Sequence, residues 1–147
     1  MLLAVPLVGW LYWEYGVKAA EQRYFESKIP ALIAAGEKGL PLKELTNFDW
    51  DMGCVIGPYS GFSRELHDGG KYENYKLEEE VYSDSDGQWY IVFVLSSHKK
   101  LIAVRPSLLG GIRYPKSFPS GMKCNVDNGA LIKVKKDNTT HIVINER

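Results

Sequence analysis

The chain has 147 residues, and its 18 Lys and Arg are matched by 18 Asp and Glu. That balance excludes the strongly basic footprint of a nucleic-acid binder. With the apolar first segment set aside, about 125 residues remain, enough for one compact domain with a real core and not for two.

From Leu2 to Trp13 every residue is apolar, Gly, Pro or aromatic; Glu14 is the first charge, and Trp10, Tyr12, Trp13 and Tyr15 crowd the end of the run. As a helix this stretch spans only roughly 18 Å. To cross a bilayer it must extend to Ala20 and lift Glu14 and Lys18 toward the headgroups, beside the aromatic cluster. We read residues 1–20 as an N-terminal membrane-anchor helix or signal segment. Cleavage after Val17-Lys18-Ala19 fits a signal peptide, although the basic n-region is missing. Pro6, Gly9 and the short length also fit a helix packed into the domain's own core. Lys18 and Arg23 lie after the run, and the positive-inside rule taken alone favours the cytoplasmic side for them.

Residues 21–46 read as helical stalk or packing helices. Ala19, Ala20, Tyr24, Phe25, Ile29, Leu32 and Ile33 fall near one stripe at spacings of three and four. This helix is expected to be kinked or broken before Pro30, with a second short helix from Pro30 to Lys38 stopping at Gly39. Leu40 to Leu45 looks like one more helical turn.

Residues 47–147 read as a β-rich domain. Strand patterns cover Asp51–Ile56, Glu79–Ser83, Gln88–Leu95, Lys100–Arg105, Met122–Val126, Gly129–Lys135 and His141–Ile144. Asp84-Ser85-Asp86-Gly87, Asp127-Asn128-Gly129 and Asn138 at the last tip supply turn chemistry. The expected fold class is therefore α+β: an antiparallel meander of about six strands packed on N-terminal helices. Trp89 to Leu95 is apolar on both alternating faces, which predicts a central strand covered on both sides. Two long loops, after Pro58 and from Pro106 to Gly121, complete the domain.

Cys54 and Cys124 are the only cysteines, each inside a predicted strand. In an oxidising compartment that even count predicts one disulfide, and buried free thiols are the alternative. No C-x-x-C pair favours redox or zinc chemistry. His67, His98 and His141 show no ligand spacing, so no metal or cofactor is expected.

The most distinctive internal passage is Leu45-Thr46-Asn47-Phe48-Asp49-Trp50-Asp51 with Pro58-Tyr59 after it. Together with the later Gly87-Gln88-Trp89-Tyr90-Ile91-Val92-Phe93 strand, it resembles a pattern in small, mostly uncharacterised bacterial envelope proteins and lipoproteins. The resemblance implies an exported, anchored α+β domain and no particular chemistry. Read physically, Asp49 and Asp51 lie on one face of an extended strand with Trp50 on the other. Paired carboxylates can bind a cation or do acid–base work, which is the hydrolase alternative; a structural role at the strand's start, with Trp50 anchoring the core, is the simpler reading.

No catalytic residue is assigned, and the chain is not expected to be an enzyme. Tyr59, Phe62, Tyr72, Tyr75, Tyr114 and Phe118 concentrate in the two long loops. Exposed, they form a surface for another protein; packed inward, they cover the open face of the sheet. The expectation is a membrane-anchored, periplasm-facing protein-binding module of the bacterial inner membrane, such as an immunity protein or assembly accessory. A self-associating structural envelope protein is the alternative.

Overall fold

The computed structural model describes residues 20–62, 70–77, 81, 88–106, 112, 122–134 and 140–143. The apolar run Met1–Val17 lies outside them, as do Tyr114, Phe118, the Asp84-Ser85-Asp86-Gly87 turn and nearly all of the predicted Glu79–Ser83 strand. Among the described residues no helix is long and apolar enough to cross a membrane.

The first element, α1, spans Ala20–Ala35 as one continuous helix. Of the kink or break expected before Pro30, the break is absent. Pro30 sits on the exposed side of the helix, where the backbone acceptor it leaves without an N–H partner can face solvent. The buried stripe is Gln22, Phe25, Ile29 and Leu32. Ile33, expected on that stripe, is 46% exposed. Instead of projecting as a stalk, α1 packs on the sheets, and Phe25 and Leu32 are fully buried. Each such side chain contributes about 1.5–3 kcal/mol. A 3₁₀ turn at Gly36–Lys38 follows, replacing the expected second helix, and the chain turns at Gly39 with φ +70°.

β1 (Leu40–Pro41) and a 3₁₀ helix (Leu42–Leu45) lead to β2 (Met52–Ile56). β3 (Tyr90–Leu95) and β4 (Lys100–Val104) form a hairpin through the Ser96–His98 turn, with Lys99 in the left-handed region. β5 (Met122–Asp127), β6 (Leu131–Val134) and β7 (Thr140–Val143) complete the chain order.

The fold is α+β with antiparallel sheets, and a single meander is corrected to two of them. The larger sheet has the order β4-β3-β2-β5; the smaller is the β6–β7 hairpin extended by the two-residue β1. The Asp127-Asn128-Gly129 turn, which reads like a hairpin tip, passes the chain from one sheet to the other. β5 pairs with β2 instead of β4 or β6.

The larger sheet is buried on both faces, as the doubly apolar β3 requires. Ile91, Phe93 and Leu95 face a core shared with α1, the Leu42–Leu45 turn and the smaller sheet. Val92 and Val94 face a second layer with Cys54, Ile56, Leu101, Tyr72 and Val81. Trp89, fully buried, donates its indole N–H to the Ile112 carbonyl at 2.9 Å, which ties the second long loop to the α1 side.

Cys54 and Cys124 form a disulfide across β2 and β5. The ladder slips there: two residues of β5, Cys124 and Asn125, stand opposite Cys54 alone. The closure spans 70 residues and in the chain-entropy model contributes about 4 kcal/mol.

Candidate functional site

Two regions present chemistry at opposite ends of the larger sheet. β2 runs between them, with the first beyond Ile56 and the second ahead of Met52.

The first is the segment following β2. Pro58 and Tyr59 occupy a turn. Pro58 restricts its own φ, and Tyr59 is held at φ +58°, a conformation that costs an L-residue roughly 1–2 kcal/mol. Tyr59 is also 60% exposed; among the described residues only it and Ile33 are large apolar side chains so open to solvent.

The other expected binding aromatics lie differently. Phe62 is fixed by its backbone N–H to the Val81 carbonyl at 3.0 Å. After residues 63–69, Gly70 to Tyr75 form tight turns, with Glu73 N–H donating to the Gly70 carbonyl and Tyr75 N–H to that of Tyr72. Tyr72 is only 1% exposed and belongs to the second core layer, so it follows the alternative in which the loop aromatics cover the sheet. Its ring lies 6.2 Å from Phe62 and 5.3 Å from Tyr75, the latter edge-on, and Lys71 Nζ stands 5.5 Å over it. Phe62 and Tyr75 are half-buried against the same layer. This part of the loop packs in the same layer as Cys54 and Cys124, whereas Tyr59 keeps 60% of its surface exposed.

The second region is the passage from Lys43 to Asp51. Trp50 and Phe48 pack on Phe93 with ring centroids 4.8 and 5.5 Å away. The indole N–H of Trp50 donates to Thr46 Oγ1 at 3.1 Å, and that hydroxyl donates to the Lys43 carbonyl at 3.0 Å. The expected single face for Asp49 and Asp51 does not form, because the strand begins only at Met52. Asp51 Oδ2 accepts the Ser96 N–H at 2.7 Å, and Asp51 N–H donates to the Val94 carbonyl at 2.9 Å. Hydrogen bonds from the Ser96 side chain and then from its backbone hold the Asp51 carboxyl below the ordinary carboxylate range. Asp51 thus closes the β3–β4 turn.

Asp49 instead lines an open cleft of about 350 Å³, between the Lys43–Trp50 loop and Asn128. Among the described residues no group of three or more His, Cys, Asp and Glu is placed to hold a metal ion. Cys54 is committed to the disulfide, so it is no nucleophile.

Sequence reasoning assigned Thr46 to a motif and Asn128 to a turn but placed neither of them, nor Lys43, in a common site. The signal for Thr46 was its spacing of four from Trp50; Asn128 had none, since its proximity comes from the turn that joins the two sheets. Comparison of the chain with family models, with curated proteins and with solved structures yields no match.

Proposed function

We propose that this chain is a binding module of the bacterial envelope, held at the inner membrane by its N-terminal apolar run, with the β-rich domain on the periplasmic side. It grips another protein through the turn centred on Tyr59, as an immunity protein or an assembly accessory would. The observation that carries the reading is Tyr59 itself: a large ring 60% exposed on a backbone at φ +58°, where folding stability alone favours Gly. An aromatic presented on a turn gives contact area at small conformational cost, which is how interface anchors act. The Cys54–Cys124 disulfide supports an oxidising compartment, and the composition of Met1–Val17 supports membrane attachment.

The test replaces Tyr59 by Gly, which relieves the backbone while deleting the ring. Full-length wild-type and Tyr59→Gly chains are crosslinked in native membranes, and the captured proteins are quantified by mass spectrometry beside thermal melts. The expected outcome is a stoichiometric partner captured by the wild type and lost in the variant, whose melting temperature is equal or higher. Capture of the chain by itself alone, in both forms, would favour the self-associating alternative. Equal capture of another protein by both forms would exclude Tyr59 as the anchor.

A further inference from the structure

The cleft ahead of β2 is built independently of the Tyr59 turn, and its two walls are fixed to each other. One wall is the Leu42–Leu45 turn and the residues after it, pinned by the Trp50–Thr46–Lys43 hydrogen bonds. The other is the turn from Asp127 to Ala130. There Asp127 Oδ1 accepts the Gly129 N–H at 2.8 Å, and the Asp127 carbonyl accepts the Ala130 N–H at 3.1 Å. A bond from Leu42 N–H to the Ala130 carbonyl, 2.8 Å, joins the walls. The backbone of both walls is therefore set by the fold before any ligand arrives, which lowers the ordering cost of binding to that of the exposed side chains.

Its chemistry narrows the occupant. The ionisable lining groups are Lys43, Glu44 and Asp49, one positive and two negative, so no excess of cationic groups is offered to an anion. Asn47 and Asn128 carry carboxamides that both donate and accept, and both residues are exposed. Phe48, half-buried against Phe93, gives the cleft an aromatic side. At about 350 Å³ the space is at the small end of ligand sites. Carboxamides and a carboxylate among the lining residues, an aromatic ring beside them and a nearly balanced charge suit a pyranose ring, whose vicinal hydroxyls would pair with carboxamide and carboxylate and whose C–H face would lie on the aromatic ring.

We propose that this cleft binds a neutral saccharide, without resting on the protein-partner reading above. Asp49 and the two asparagines recognise hydroxyls, and Phe48 supplies the stacking surface. The test is an NMR titration of the ¹⁵N-labelled full-length chain, in a detergent without a sugar headgroup, with cellobiose, maltose and N,N′-diacetylchitobiose. Inorganic phosphate serves as the anionic control. The expected result is saturable shifts of the Trp50 indole and the Asn47 and Asn128 carboxamides for at least one sugar, with a dissociation constant on the order of 1 mM. The exposed double variant Asn47→Ala/Asn128→Ala should weaken binding at least ~10-fold, read from backbone amides around Trp50, with an unchanged melting temperature. The proposal is overturned by no saturable shift with any of the sugars, by equal affinity in the double variant, or by phosphate binding there in place of sugar.

Discussion

Gly39 shows how narrow the tolerance is where α1 hands over to β1. A Cβ on it would lie 2.6 Å from the Ile132 carbonyl oxygen, and its φ of +70° is itself unfavourable for an L-residue. Gly36, three residues earlier, has a similar φ of +54° but no atom within 4 Å of the same construction. Gly39→Ala should therefore lose about 2–4 kcal/mol and Gly36→Ala only about 1 kcal/mol, measured by urea unfolding. Equal losses would show that backbone conformation, without the clash, decides both. Asp51 acts at the same scale through a proton. Its folded carboxyl is depressed by Ser96, so its contribution is present above the ordinary carboxylate value of about 4 and is lost as pH falls through the lower folded value. The stability gap between wild type and Asp51→Asn should be open at neutral pH and should close under more acidic conditions. A gap independent of pH would remove the ionic account.

Between elements, the exposed edge of the larger sheet is sealed in an unusual way. Gln22 of α1 accepts the Arg105 N–H at 2.7 Å and donates to the Arg105 carbonyl at 3.0 Å, imitating a neighbouring strand just past the end of β4. At the other end of β4, Lys76 N–H donates to the Lys99 carbonyl and the Lys76 carbonyl accepts from Leu101 N–H, both at 2.8 Å. Together these block strand addition along that edge. Gln22→Ala is expected to cost about 1–3 kcal/mol and to speed hydrogen exchange at the Arg105 amide. A stability loss with unchanged exchange there would mean that Gln22 matters for helix packing only. The helix and most strands were legible because their apolar residues repeat with the right period. Gln22 was not: a polar residue in line with Phe25, Ile29 and Leu32 reads as a flaw in the stripe until β4 is placed beside it. Leu40–Pro41 escaped notice because Pro argues against a strand, yet at a sheet edge it is allowed.

At the scale of the molecule, what the sequence hid was partnership between distant segments. Cys54 and Cys124 could be matched by counting; that they join neighbouring strands, and that β5 lies beside β2, depends on the turn that leaves one sheet for the other. The aromatic loop divides the same way: Tyr72 follows the packing of the second layer and Tyr59 does not, a distinction composition cannot make. Removing the crosslink in Cys54→Ala/Cys124→Ala should lower stability by about 4 kcal/mol, and reductant should do the same to the wild type but not to the variant. A wild type indifferent to reductant under unfolding conditions would mean the bond carries none of that stability. The position of β2 also orders events in time. It is the earliest strand of the larger sheet in the chain, yet both its neighbours, β3 and β5, come later, so a chain emerging from its N-terminus holds Met52–Ile56 unpaired until Leu95 has appeared and keeps its other edge open until β5 follows. The β3–β4 hairpin can form alone and β2 can join it as soon as β3 is made, but the crosslink must wait for β5; thiol oxidation therefore reports that the outer strand of the larger sheet has docked on β2.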